Sequence, residues 1–200
     1  GRAYDAGDVP NLPVLPALAA ERRTNRGFEG LAVSPDEQRL YVAAQSALEP
    51  GGAPEPFVRI WTLDAASGEL LAEHGYVFDP PTSFRRDAEQ GAVERGDLKI
   101  CDLLCIGEDR LLVLERITAS AKIYQVQLRG GEAAEPAGAG MIPRLAKTLL
   151  FSTDDHPGVA PDVEGMAQLS DTELMLVTDN DFGVGGSETA FYVVTFAAPL

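Results

Sequence analysis

The sequence predicts an all-β fold, a β-propeller-like array of four-stranded antiparallel blades with about three blades present. Short apolar segments alternate with turn residues along the chain, and the 3.6-residue periodicity of helices is scarce. One hairpin pattern also occurs three times. Radial repetition of four-stranded sheets leaves few strand edges exposed, and propellers have about four to eight blades. We therefore expect an incomplete propeller.

The first predicted blade covers residues 27–78 and follows an N-terminal arm or partial element at 1–26, which is rich in Pro, Ala and Arg. Ser34-Pro35-Asp36 and Ser67-Gly68 supply the turn residues between its strands. The four expected strands are 28–33, 39–44, 57–63 and 70–78.

The second and third predicted blades cover residues 97–151 and 162–197. A long polar connection at 79–96 precedes the second blade, and such long loops are often functional. A segment rich in Gly, Ala, Pro and Glu at 130–143 is expected to be a mobile surface loop. Since the third blade lacks a fourth strand, we expect the remaining blades to come from missing chain or from self-association. The expected strands are 98–106, 110–117, 122–128, 147–151, 163–169, 173–178 and 191–196.

The repeated hairpin supports this arrangement, because a fixed local pattern that recurs at long intervals is typical of repeat folds. Its first strands are Glu29-Gly-Leu-Ala-Val, Cys101-Asp-Leu-Leu-Cys and Glu164-Gly-Met-Ala-Gln. Each is followed by a turn and a second apolar strand.

Acidic residues are predicted to gather at one end of these hairpins. In an antiparallel pair, the first residue of one strand lies beside the last residue of the next. If Leu169 opposes Leu174, then Glu164 opposes Asp179, and Asp181 follows as the chain leaves the strand. The third hairpin therefore brings three carboxylates together.

The same counting applies to the other two hairpins. It places Asp102 near Glu115 and Arg116, and Glu29 near Gln45. If the first strands line a central channel, these groups form a ring at its mouth. Calcium binds six to eight oxygen ligands, which such a ring could supply. A guanidinium there could instead hold an anionic group such as phosphate.

Composition and charge exclude several function classes. The net charge is −15, so a polyanion such as nucleic acid or an anionic membrane surface would be repelled. The chain has no Walker loop, no Gly-x-Gly-x-x-Gly and no Gly-x-Ser-x-Gly motif.

Cys101 and Cys105 are too far apart along a strand for a disulfide and are expected to be free thiols. The chain begins at Gly1 without a basic and apolar leader, so a targeting peptide is not expected within it.

Three segments resemble the phytase-like domain family, also described as the esterase-like activity of phytase. They occur in the expected order, and the resemblance covers about residues 25 to 197. It implies a bacterial propeller-like protein, periplasmic or secreted, whose Glu and Asp residues hydrolyse phosphoric esters. Family members are normally longer, which implies a C-terminal portion. Cys101 departs from the small hydroxyl residue expected before Asp102. The segments are Asn25–Asp36, Leu111–Arg116, and Val163–Ala167 with Thr178–Gly183.

These observations predict a metal-assisted hydrolase of a phosphoric or similar anionic ester, with calcium as the ion. Glu115, Arg116 and Glu164 are the predicted catalytic residues, Glu115 as general base if it faces the channel. The predicted metal ligands are Glu29, Glu164, Asp179 and Asp181, and the predicted substrate-binding residues are Arg26, Arg116 and Asn180.

Two other functions are compatible with the same pattern. The first is a non-catalytic propeller in which the carboxylates bind a structural ion and the outer loops bind a partner. The few basic residues favour this alternative over phosphate chemistry. The second is a lactone or sugar-acid hydrolase, by analogy with six-bladed enzymes.

Overall fold

A computed structural model describes residues 13–128, 133–135 and 142–200. This part of the chain is mostly β-strand, with one single-turn helix, α1 (Arg85–Ala88), and several 3₁₀ turns. The all-β class predicted from the sequence is confirmed. In chain order the strands are β1 (Phe28–Val33), β2 (Arg39–Ala44), β3 (Val58–Asp64), β4 (Leu70–Tyr76), β5 (Lys99–Gly107), β6 (Arg110–Arg116), β7 (Ala121–Gln127), β8 (Ala133–Glu135), β9 (Arg144–Leu145), β10 (Lys147–Ser152), β11 (Val163–Ser170), β12 (Glu173–Thr178) and β13 (Phe191–Thr195).

The described strands form three separate sheets. The first is ordered β1-β2-β3-β4-β9-β8, the second β10-β7-β6-β5 and the third β11-β12-β13. All neighbours are antiparallel except β4 and β9, which run parallel. These residues do not close into a barrel or a propeller ring, so the propeller stays a prediction.

Most of the predicted strands lie where the sequence placed them, within one or two residues at each end. The connection at 79–96 contains α1 and two 3₁₀ turns. The expected loop at 130–143 falls mostly outside the described residues. Its described part includes β8, which pairs with β9 and extends the first sheet. Within the described residues, no helix is long and apolar enough to cross a membrane.

Strand β6 is buried on both faces, which explains its continuous apolar segment Leu111–Leu114. Successive side chains of a strand point to opposite faces of a sheet. Leu111 and Val113 pack into a core shared with the first sheet, where Trp61 is fully buried. Leu112 and Leu114 pack into a second core, shared with the third sheet.

The three first strands lie side by side, with β5 between β1 and β11. Gly30 of β1 lies against β5 so closely that a Cβ there would be 2.6 Å from Cγ of Leu103. On the other side, the Asp102 carboxylate accepts a hydrogen bond of 2.8 Å from the backbone N–H of Met166 in β11. The repeated hairpins therefore meet at the ends where the acidic residues were predicted.

Each first strand contains a β-bulge at the same position of the repeat, at Glu29, Cys101 and Glu164. A bulge inserts one unpaired residue and redirects its side chain. A further irregularity at Leu169 shifts the third hairpin again, so that Gln168 opposes Leu174. Residue counting assumed a regular ladder, and these bulges make its pairings wrong.

The corrected pairings follow from these bulges. Asp102 opposes Leu114, not Glu115 or Arg116. In the third hairpin Val163 opposes Thr178, and the N–H of Asp179 donates to the carbonyl of Asp162 at 2.9 Å.

The first hairpin shows the same correction. The N–H of Gln45 bonds the carbonyl of Gly27 at 2.9 Å, so Gln45 is not opposite the bulged Glu29. In all three hairpins, the residue before the bulge pairs with a residue of the second strand. Regular counting had assigned that partner to a residue further along the first strand.

Candidate functional site

Arg116, the last residue of β6, is the centre of a polar cluster between the second and third sheets. Its side chain is 4% exposed and forms ion pairs with Asp162, at 2.6 Å, and with Glu164. Its Nε donates to Sγ of Cys101 at 3.0 Å. Arg116 also donates to the carbonyl of Ile117 at 3.1 Å. The guanidinium is thus fixed by four partners from three segments of the chain.

The bulges explain why these side chains meet. Cys101 and Glu164 are the unpaired residues of β5 and β11, and both reach the same guanidinium. Asp162, just before β11, adopts the left-handed backbone conformation with φ of 56°, and its N–H donates to the carbonyl of Thr118. Burial raises the pKa of the Cys101 thiol, with Arg116 opposing the shift. The thiol therefore acts as a buried hydrogen-bond partner of Arg116.

Two further cations lie beside this cluster. Lys99 is the direct cross-strand partner of Arg116. Its pKa is lowered by burial first, and then by the positive charges of Arg116 and Arg26. Arg26 donates through Nη2 to the carbonyl of Gly96 at 3.1 Å, while its buried Nη1 has no hydrogen-bond partner among the described residues. An unsatisfied buried donor beside a lysine favours an anionic ligand.

A cavity of about 490 Å³ opens beside these cations. Arg26 and Lys99 line it together with Ile117 and Thr118, which directly follow Arg116. The opposite wall comes from residues of the 87–97 segment. The cavity therefore lies between a positively charged strand end and the long connection that the sequence marked as a candidate functional loop.

This wall of the cavity is held in place by the carboxylates of the buried Asp87 and the half-buried Asp154. Asp87 accepts backbone hydrogen bonds from Thr118, Ala119 and Ser120 at 3.0, 2.9 and 2.7 Å. Asp154 accepts bonds from the start of α1 and, at 2.6 Å, from the hydroxyl of Ser120. The β6–β7 turn and the connecting segment are thus joined, which gives the cavity a defined shape.

Glu115 lies in a different cluster, on the opposite face of β6 from Arg116. Its carboxylate is fully buried and accepts hydrogen bonds from Tyr76, at 2.6 Å, and from Lys147, at 2.7 Å. Lys147 also pairs with Asp79 at 2.9 Å. Burial raises the pKa of Glu115, and Lys147 opposes the shift. Glu115 and Arg116 therefore lie in different surroundings, and the role of Glu115 as general base stays a prediction.

Among the described residues, no side-chain hydrogen bond or ion pair joins Glu29, Asp179 or Asp181 to Arg116, although the backbone N–H of Asp179 donates to the carbonyl of Asp162. Asp179 and Asp181 are exposed, and Asp179 accepts bonds from the backbone of Asn180 at 2.7 Å and of Asp181 at 3.3 Å. This is the local geometry of an Asx turn. Glu29 is exposed on the bulge of β1.

The residues present do not fit the predicted calcium site. Across residues 13–128, 133–135 and 142–200, no group of three or more His, Cys, Asp or Glu side chains is arranged to hold a metal ion. Arg116 instead balances the charge of Asp162 and Glu164. Calcium therefore stays a prediction from the sequence, and no step below is assigned to a metal.

Sequence reasoning missed Lys99 and Asp162. Lys99 was missed because the uncorrected register paired Arg116 with the wrong residue of β5. Asp162 lies outside the repeated hairpin motif, so the comparison of repeats did not include it. Arg26, Arg116 and Glu164 were identified in advance and lie at or beside the cluster.

Comparison with known proteins adds an independent observation. A sequence model of the phytase-like family, described as esterase-like activity of phytase, matches residues 3–182. A search of curated proteins found no match. The family match covers most of the chain, including β1 to β12 and every residue of the Arg116 cluster. This chain belongs to the phytase-like family.

Proposed function

We propose that the chain hydrolyses a phosphoric ester or a similar anionic ester at the Arg116 cluster and the adjoining cavity. The observation that carries this proposal is the position of Arg26 and Lys99, which face one cavity beside the Arg116–Glu164 ion pair. Family membership supports hydrolysis as the reaction class. Cations can stabilise the charge that develops on the phosphoryl oxygens, and a positioned carboxylate can take a proton from water.

The two cations have the role of binding the anion. Charge-assisted hydrogen bonds from guanidinium and ammonium groups to phosphate oxygens are about twice as strong as neutral ones. The unpaired Nη1 of Arg26 and the Nζ of Lys99 would donate to the non-bridging oxygens. Charge that develops on those oxygens in the transition state would be stabilised by the same donors.

Glu164 has the role of general base. Its side chain is 39% exposed, so water can reach the carboxylate, and Arg116 fixes its orientation. In the proposed step, Glu164 takes a proton from water while the water oxygen bonds to phosphorus. The bond from phosphorus to the ester oxygen breaks, and the leaving alcohol takes a proton from solvent. Arg116 is a positioning residue because its buried guanidinium is occupied by Asp162, Glu164 and Cys101.

We also propose that the three sheets are blades of a propeller completed by further chain or by a second copy. Two observations support this arrangement. The bulges recur at one position of each first strand, and β5 lies between β1 and β11. Export from a bacterial cell, to the periplasm or outside, remains a proposal that only the family resemblance supports.

The function is tested by hydrolysis of 4-nitrophenyl phosphate, measured as release of 4-nitrophenol. We expect turnover by the wild-type chain and a loss of about 100-fold in kcat for Glu164→Gln, which keeps the size of the side chain but not its basicity. Glu188→Gln, an exposed glutamate on the β12–β13 connection, serves as the control and should keep full activity.

A second measurement separates hydrolysis from simple binding. Titration with inorganic phosphate should show a site that Lys99→Gln weakens. Phosphate binding without turnover of any phosphoric ester would favour the non-catalytic binding module. Absence of both binding and turnover would overturn the proposal. A parallel calcium titration, with Glu164→Ala plus Asp179→Ala as its control, tests the metal prediction separately.

A further inference from the structure

The charges around the cavity restrict which phosphoric ester it can accept. Arg26 and Lys99 are the two cations of its lining, and Asp87 and Asp97 are two carboxylates of the same lining. The lining has no net positive charge by this count. Each phosphate monoester group carries about −1.5 to −2 charges at neutral pH. Arg26 and Lys99 can compensate at most one such group, and Asp87 and Asp97 oppose any further negative charge.

The neighbouring arginines have partners of their own, and Arg86 and Arg95 donate to the carbonyls of Val159 and Pro56. Arg116 is neutralised by Asp162 and Glu164. Arg23 pairs with Glu49 at 3.2 Å, and Arg85 pairs with Asp155 at 2.6 Å. A ligand with several phosphoryl groups would have to displace these pairs or leave its own charges without counterions.

The charge of the whole protein also disfavours ligands with several phosphoryl groups. The net charge of −15 makes the surrounding potential negative, which lowers the association rate of polyanions more than that of singly phosphorylated molecules. The cavity also offers apolar contact surface from Ala92, Val93 and Ile117. This surface suits an uncharged organic group attached to the phosphate.

Resting on the proposed function, we infer that the substrate carries a single phosphoryl group on a compact, uncharged organic group. Phytate and other polyphosphorylated molecules are poor substrates of this cavity. The inference depends on the balance of Arg26 and Lys99 against Asp87 and Asp97, together with the occupied state of the surrounding arginines.

The experiment compares kcat/KM for phenyl phosphate and for inositol hexakisphosphate at low and at physiological ionic strength. We expect at least about a tenfold preference for phenyl phosphate, and the preference should shrink as salt screens the repulsion. Equal or greater kcat/KM for inositol hexakisphosphate would overturn this inference while leaving the proposed hydrolase intact. Failure to hydrolyse either compound would overturn the hydrolase and the inference together.

A pair of variants tests the physical cause. Asp97→Asn removes one negative charge from the lining but keeps an oxygen that can accept the bond from the N–H of Glu94. It should raise kcat/KM for inositol hexakisphosphate by about threefold or more relative to phenyl phosphate. Asp171→Asn, in the exposed β11–β12 turn, changes net charge equally and should leave that ratio unchanged. If both variants changed the ratio of kcat/KM equally, the charge of the cavity lining would not be the cause of the preference.

Discussion

Lys99 and Arg116 face each other directly across the β5–β6 ladder. Like charges at opposite positions of two strands destabilise a sheet. Arg116 tolerates this position because Asp162 and Glu164 neutralise it, while Lys99 forms no ion pair with any described residue. The arrangement leaves one strand end with a positive charge available to an anionic ligand.

The lowered pKa of Lys99 predicts an unusual pH dependence of anion binding. Only the protonated amine binds an anion strongly, so phosphate affinity should fall as the pH rises through the lowered pKa, below the value of about 10.4 for a free lysine. Titration calorimetry with phosphate at several pH values from neutral to the ordinary range of lysine measures this. Lys99→Gln should bind about tenfold more weakly and lose the pH dependence. An identical pH profile for that variant would contradict the assignment, and Arg22→Gln is the exposed control.

The lowered pKa of Lys99 also affects the stability of the fold, which should increase with pH where phosphate affinity decreases. The folded state disfavours the charged amine of Lys99, so without a ligand this residue lowers the free energy of unfolding at neutral pH. That penalty should disappear as the pH rises through the lowered pKa. Urea unfolding of the wild-type chain should therefore show a gain as the pH rises from neutral towards the ordinary range of lysine, and Lys99→Gln should lack it. A gain of the same size in the variant would point to other groups.

The Arg116→Lys variant tests whether Arg116 acts by positioning Glu164 or by supplying a positive charge. A lysine keeps the positive charge but cannot bond Cys101, Asp162 and Glu164 at once, because it lacks the planar fork of the guanidinium. We expect kcat to fall about 100-fold, since small displacements of a catalytic group have effects of this size. Phosphate affinity should change by less than about threefold, because Arg26 and Lys99 hold the anion. A large loss of affinity with unchanged kcat would place Arg116 in anion binding.

Gly30 and Gly165 occupy the same position of the repeat and should differ in their tolerance of a methyl group. A Cβ at Gly30 would be 2.6 Å from Leu103 and 3.0 Å from Ala43, within the contact between two sheets. At Gly165 the only close atom is Cγ1 of Val177, at 2.8 Å, on a face that is partly exposed. Gly30→Ala should lower the free energy of unfolding by about 1–3 kcal/mol, and Gly165→Ala by less. Urea denaturation measures both, and the reverse order would contradict this account.

The ion pair of Glu115 and Lys147 should be strongly asymmetric under mutation. Lys147→Met leaves Glu115 buried with only Tyr76 and a backbone N–H as partners, and we expect a loss of about 3–5 kcal/mol. Glu115→Gln should cost less, because Lys147 keeps its pair with Asp79. Thermal unfolding of the two variants under identical conditions compares these losses.

The pH dependence of the stability of Lys147→Met provides a second test of the ion pair between Glu115 and Lys147. Without Lys147, burial raises the pKa of Glu115 unopposed by its main counterion. The folded state then binds the proton more tightly than the unfolded state, so part of the lost stability should return as the pH is lowered towards the ordinary range of glutamate. Glu115→Gln has no carboxyl at this position and should not recover in this way.

The strands were predictable because they depend on local properties of the chain. Leu111–Leu114 of β6 form a continuous apolar segment typical of a strand, and the turn at Ser34 and Asp36 precedes β2 with hydrogen bonds between these residues and their neighbours. Neither feature depends on distant residues. The family resemblance also came from local motifs, among them Leu111–Arg116, and the family match confirms it.

Local sequence patterns were thus enough to predict the all-β class, the bounds of most strands and the family, and to propose Arg26, Arg116 and Glu164 as site residues. The pairing of residues across the strands became visible in the folded structure alone, because a bulge adds one residue to a strand without a distinct sequence signal. That extra residue moved Lys99 opposite Arg116 and Asp162 opposite Asp179. The structure also separated Glu115 from Arg116, since neighbouring residues of a strand face opposite sides and each side here packs against a different sheet.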